Sequence, residues 1–267
     1  MDAIELVKKH SPQNHFSSEE SLRVSESAYW QAYYEHPDCQ YEWNNGLLEE
    51  KPMPDFLSIA LYRWFLQLLE EYFKVFPVGQ LMGLEMGVRL EFGEKVIIRK
   101  PDLAVILNEN PCKTNPEDRS FRGVCDLCIE FLSDSSFSEV ERDTVVKKEE
   151  YAKAGVSEYY ILDRLGRHTY FYRLNEQGFY ERLDAAEHGV IHSTVLKNFS
   201  FRLQDLEGQI PFEALVDNPL YQPFLLKSLQ QERQQKEQER QQKEQSLAEV
   251  ERLRTLLQKK GIDFKEK

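Results

Sequence analysis

The chain has 267 residues with a formal charge of −12 and 41% hydrophobic residues, enough for one moderate domain with its own core plus an appendage. The charge is uneven: residues 227–267 hold 11 Lys or Arg against 8 Asp or Glu, so that stretch is +3 and residues 1–226 carry −15. A body of that sign excludes a generic nucleic-acid sponge, because phosphate binding then needs a local basic patch that the total conceals. The start, MDAIELVKKH, lacks the apolar core of a secretory signal and no run of 18 apolar residues is present, so the expected location is cytoplasmic, with no membrane partner.

In chain order, residues 1–24 read as a loosely held polar lead-in. Ser25 to His36 has helical spacing of Tyr29, Trp30, Tyr33 and Tyr34 and stops at Pro37. QYEWNNGLLEE then reads as two short strands around the tight turn Asn44-Asn45-Gly46. Pro52 and Pro54 break the chain, and Asp55 is placed to cap a long apolar helix whose Trp64, Phe65, Leu68, Leu69, Tyr72 and Phe73 suit a core. Leu84 to Leu90 and Glu94 to Arg99 form an expected hairpin leading into Pro101-Asp102.

Residues 102–107 (DLAVIL) and 125–132 (CDLCIEFL) are short, apolar and β-branched, as buried strands are. Between them lies a long polar loop whose Arg119 and Arg122 suit phosphate or, more simply, solvent. Cys39, Cys112, Cys125 and Cys128 do not resemble a disulfide framework. The CxxC spacing of Cys125 and Cys128 falls in an expected strand, where residues three apart face opposite ways, so small core residues are the reading rather than zinc.

Ser138 and Glu141 have capping-box spacing for the next helix, and Gly155 closes it. With strands 125–132 and 158–163 this helix makes a β-α-β unit with a right-handed crossover. TYFYRL and FYERLD form an aromatic hairpin around residues 175–178, and 190–203 supplies another strand before the domain ends near Ala214 or Leu215. In the tail, ERQQKEQ at 232–238 recurs unchanged at 239–245. The repeats have no apolar residue for a coiled-coil seam, but Leu247, Val250, Leu253 and Leu257 restore a helical stripe.

If the strands at 102–107 and 125–132 pair antiparallel, Asp102 lies beside Glu130. Two carboxylates at the edge of an apolar sheet repel unless a cation separates them, and hard oxygen ligands suit magnesium or manganese. At helical spacing Asp143, Lys147, Tyr151 and Ala154 share one face, with Lys148 about a third of a turn away. A lysine beside a carboxylate-bound metal can orient water or stabilise charge on a phosphate. Strand-end acids and helix lysines also commonly form surface salt bridges of little value. His168 and His192 have no nucleophile motif nearby, and no GxSxG, HExxH or phosphate-cradling glycine loop occurs. Ser133, Ser135 and Ser136 suit the turn and helix entry.

PD at 101–102, IEFLSDSS at 129–136, RDTVVKKEEYAKAGVSEYYILD at 142–163 and YEWNNGLLEE at 41–50 together resemble the Uma-two family, restriction-type endonucleases of the PD-(D/E)xK nuclease superfamily. The similarity covers Ser25 to Leu215, and the tail resembles the glutamine- and arginine-rich extensions of some members. The resemblance implies a mixed α/β, restriction-endonuclease-like core, with a central mixed sheet flanked by helices. The expected division is a lead-in at 1–24, the nuclease domain at 25–215 and a helical, coiled-coil-capable tail at 216–267.

It further implies a magnesium- or manganese-dependent endonuclease acting on DNA, with Asp102, Glu130 and the Phe131 carbonyl as metal ligands. Glu42 would be the additional upstream acid; read by itself it is equally an exposed strand residue before a turn. The superfamily places lysine two residues after the second acid, where this chain has Leu132. The family supplies the amine from the following helix, which matches Lys147, with Lys148 as the register alternative. A homodimer would suit cutting of two strands. The rival expectation is a catalytically inactive nuclease-fold protein that captures a partner helix through its tail.

Overall fold

The computed structural model describes residues 19–83, 86–132 and 136–259. The lead-in as far as residue 18, Leu84 of the expected hairpin, and Ser133 and Ser135 lie outside the described residues.

Two large sheets and a two-stranded pair make up the strands of the described residues. The first, in the order β2-β1-β5-β4-β7, is built from β1 (Tyr41–Asn44), β2 (Leu47–Glu50), β4 (Gly87–Phe92), β5 (Lys95–Arg99) and β7 (Ser120–Phe121). The second, in the order β11-β10-β9-β8-β6-β3, contains β3 (Gly79–Gly83), β6 (Leu103–Leu107), β8 (Leu127–Leu132), β9 (Glu158–Asp163), β10 (Tyr170–Leu174) and β11 (Tyr180–Arg182). It is a mixed sheet: β6 runs antiparallel to β8, and β8 parallel to β9. The crossover between those parallel strands is α3 (Phe137–Glu141), a π-helical turn at Arg142–Lys147, and α4 (Lys148–Ala154), closed by Gly155 at φ 91°. A left-handed backbone there favours glycine.

A short α1 (Glu26–Ala28) runs into a π-helical turn at Tyr29–Tyr33, and Asp55 caps α2 (Phe56–Val75), its side chain accepting from the Ser58 amide. The helix lays Leu61, Phe65, Leu68 and Tyr72 against Leu103, Leu127, Ile129 and Tyr160 of the six-stranded sheet. A second core, with Ile97, Leu132, Tyr151 and Tyr159, fills the opposite face. The six-stranded sheet is thus covered on both sides, which explains why β6 and β8 are near-continuous apolar runs.

Several expectations need correction. β3 was not anticipated as a separate strand: it pairs with β6 along five residues, and the expected strand from Leu84 starts instead at Gly87. The helix cap is Ser136, not Ser138; its hydroxyl accepts from the Glu139 amide. Cys125 precedes β8, so the opposite-face argument fails, and both Cys125 and Cys128 are buried in the same core. Residues 190–203 hold two strands, β12 (Val190–His192) and β13 (Ser200–Arg202), paired antiparallel, followed by α5 (Leu203–Glu207) and α6 (Phe212–Leu215). Packing continues beyond 215: Tyr221, Phe224 and Leu225 are buried in the core with Tyr72 and Phe199. The chain ends its described part in α7 (Leu225–Lys259), where Leu247, Val250 and Leu253 are exposed. Among the described residues no helix is long and apolar enough to cross a membrane.

Candidate active site

The chain passes from one sheet to the other at Lys100-Pro101-Asp102, between β5 and β6. Proline has no amide hydrogen to donate to a ladder, so it suits this break. The step brings the end of β1 and β5 against the end of β6 and β8, and the helical crossover closes over the junction. A cavity of about 280 Å³ opens there, with Lys51, Asp102, Glu130, Asp143 and Lys147 in its lining.

Antiparallel register puts Leu103 opposite Ile129, so Asp102 and Glu130 are brought to the same place. Asp102 Oδ2 accepts from the Phe131 amide at 2.7 Å, and its Oδ1 meets Lys51 Nζ at 2.8 Å. Glu130 is buried; its Oε1 accepts from the Tyr151 hydroxyl at 2.9 Å and lies 3.1 Å from Lys147 Nζ. No hydrogen bond from the described residues reaches Glu130 Oε2. Burial, with the charge of Asp102 adding to it, pushes the Glu130 carboxyl up to about 8 against the pull of Lys147.

Besides Lys51, the helical crossover brings in a second amine, Lys147. Its Nζ stands 3.1 Å from Asp143, 3.1 Å from Glu130 and 3.4 Å from Glu42. Although burial opposes its charge, those three acids hold its pKa well above the ordinary value. It lies in the π-helical turn, a local departure from α geometry that often occurs at functional positions. Lys148 faces elsewhere, its ammonium 5.2 Å from the centroid of Tyr172.

Glu42 is fully buried, which overturns its reading as an exposed strand residue. Its Oε1 accepts from the Lys100 amide at 2.8 Å and its Oε2 meets Arg99 Nη1 at 3.1 Å. Burial disfavours the carboxylate, but Lys147 and Arg99 hold it ionised, with a pKa of about 2. Arg99, itself fully buried, also binds Glu49 and, through Nη2 at 2.7 Å, Glu150. Glu42 therefore links a buried arginine to the lysine and is already occupied on both oxygens.

Among the described residues no group of three His, Cys, Asp or Glu side chains forms a ready-made metal cage. The pair Asp102 and Glu130 nonetheless fits a hard divalent cation in donor chemistry. Lys51 carries its ammonium against Asp102 Oδ1 and 2.5 Å from the Lys100 carbonyl, so this corner already attracts positive charge onto oxygen ligands.

Lys51, Arg99 and Arg142 were missed from the sequence. Arg142 lines the cavity and donates to the Glu50 carbonyl at 2.6 Å. Lys51 follows a strand and precedes a proline, a context that carries no chemical signal by itself. Arg119 pairs with Glu35 at the surface, away from this cavity. His192 Nδ1 lies 2.7 Å from Ser200 Oγ across the β12–β13 pair.

The sequence matches the family model Uma2, described as "Putative restriction endonuclease", over residues 27–204. A solved structure similar to this one is a putative nuclease belonging to DUF820 from Anabaena variabilis ATCC 29413, with a TM-score of 0.50 and 22% identity. The likeness covers 63% of this chain and 90% of that one, and it concerns the fold. Comparison with curated proteins gave no match.

Proposed function

This chain belongs to the Uma2 family of putative restriction endonucleases, and from that premise we propose that it is a divalent-metal-dependent endonuclease hydrolysing DNA phosphodiester bonds. Asp102 and Glu130 would hold magnesium or manganese, the Phe131 carbonyl being a further ligand by family resemblance. The ion supplies Lewis-acid stabilisation of charge on the phosphate when bound. Lys147 keeps its ammonium 3.1 Å from Glu130 Oε1, where it can orient an attacking water and balance developing charge. Glu42, in this reading, aims that lysine through its 3.4 Å contact instead of ligating metal, because Arg99 and the Lys100 amide take its oxygens.

The observation that carries the proposal is the convergence of Asp102 just before β6, Glu130 on β8 and a buried helix lysine on one cavity, at the break between two sheets. The signature lysine position holds Leu132, buried in the core, so the amine must come from another element, and Lys147 supplies it. Plasmid and oligonucleotide substrates incubated with the full-length protein and magnesium or manganese test the assignment. Cleavage is expected with the native chain and is expected to vanish in Asp102→Asn and Glu130→Gln. Cleavage that survives both substitutions would assign the activity to another site or another protein.

A further inference from the structure

We propose that the mouth of this cavity holds unpaired nucleobases, so that the preferred substrate is a single-stranded segment of nucleic acid. The inference rests on the phosphodiesterase reading and narrows its substrate. Four cations line the cavity: Lys51, Arg63, Arg142 and Lys147. Three are committed to acids, Lys51 to Asp102, Arg142 to Glu20, and Lys147 to Asp143, Glu130 and Glu42. Arg63 is exposed and makes no ion pair among the described residues. A duplex gripped through its phosphates needs several uncommitted cations, and one arginine on a body of −15 does not provide them.

Apolar surface is what the mouth offers instead. Phe56 is 89% exposed and Met53 87%. On α2, Ile59 and Arg63 follow Phe56 by three and seven residues, so the three share a helix face. Ile59 and Arg63 also line the cavity, together with Pro52 and Pro54, the two residues flanking Met53. Inside, the rings of Tyr62 and Phe131 meet edge to face at 5.1 Å and form part of the wall beside Asp102 and Glu130. Ile59 and Arg63 thus place this helix face at the cavity that holds the acids, with the exposed Phe56 one turn before Ile59. An exposed aromatic ring next to a single cation matches a strand whose bases are unpaired: a base stacks on Phe56, a flanking phosphate meets Arg63, and the scissile phosphate enters the cavity.

The test is binding of the full-length protein to a fluorescein-labelled oligonucleotide in EDTA, as a single strand and as its blunt duplex, with cleavage of both forms in magnesium measured separately. The single strand is expected to bind about tenfold tighter or more. Phe56→Ala, at a position exposed enough to leave folding intact, should weaken single-strand binding by roughly 5- to 150-fold, the value of one stacked base. Arg63→Gln should lower the salt slope for the single strand by about 0.7. Equal affinity for both forms, or unchanged binding in Phe56→Ala, overturns the inference. So does a Phe56→Ala effect confined to the oligomeric state, which would assign the stripe to self-association. Asp102-dependent cutting of duplex without preference for single strands sinks this inference alone, whereas no cutting of either form sinks the nuclease reading beneath it.

Discussion

Two buried glutamates on neighbouring strands are satisfied in opposite ways. Glu158 opens β9 and takes four neutral donors: the Thr194 amide at 2.5 Å, and the hydroxyls of Thr194, Ser193 and Tyr160 at 2.7 Å each. Glu130, on the parallel partner β8, has one hydroxyl, from Tyr151, one ammonium, from Lys147, and an Oε2 to which the described residues donate nothing. The first carboxylate is a knot tying the β12–β13 region to the sheet. The second is short of donors and faces a cavity. Saturation by neutral groups of fixed geometry suits a structural acid; a carboxylate with fewer donors, facing a cavity beside a buried ammonium, suits one that binds a ligand.

Substitutions can break or sharpen that contrast, and the largest effect is expected where charge is most deeply enclosed. Arg99→Met leaves Glu42, Glu49 and Glu150 without their shared buried cation and should cost about 3–5 kcal/mol in a chemical-denaturation midpoint series. A cost below about 1 kcal/mol would show that the network is not a stability element. Lys147→Met should slow cleavage by roughly 10²- to 10³-fold, as loss of a transition-state charge donor does. If Lys148→Met has that effect instead, the helix register assumed for the amine is wrong.

Glu158→Ala should destabilise by about 2–3 kcal/mol, because it strands buried hydroxyl and amide donors, while leaving the turnover of folded protein unaltered. Loss of turnover at unchanged stability would erase the distinction between the two glutamates. The smallest effect concerns Glu26, whose hydrogen bond from Arg89 lowers its pKa below the ordinary 4.5 against a partial burial that raises it. A depressed carboxylate contributes stability that is present above pH 4.5 and fades as pH falls through the lowered folded value. The amount is below about 1 kcal/mol for a partly exposed pair, and the native-minus-Arg89→Gln difference in melting temperature should narrow on acidification. A difference that widens below pH 4.5 reverses the sign.

Much of the architecture was legible because it is local. The Asn44-Asn45-Gly46 turn, the Asp55 cap and the Gly155 closure each leave a signal within a few residues, and the parallel β8–β9 pair follows from the strand-helix-strand order. The antiparallel pairing that unites Asp102 with Glu130 follows from two apolar runs read together. β3 was missed because Gly79-Gln80-Leu81-Met82-Gly83 lacks β-branched residues and becomes a strand only by pairing with β6. Lys51 and Arg99 were missed for a related reason: a cation is informative only beside the acids it meets, and their partners lie about 50 residues away in sequence or farther. For Glu42, nothing in YEWN reports that it is buried or that an arginine from β5 meets its second oxygen.

Whether Asp102 and Glu130 act as a cation-binding pair is tested most directly by a manganese-soaked crystal with anomalous diffraction data. A peak coordinated by both carboxylates is the predicted result, with Lys147 still directed at Glu130. A well-ordered site whose only cation is the Lys51 ammonium on Asp102, at manganese concentrations that support or would support cleavage, would contradict it.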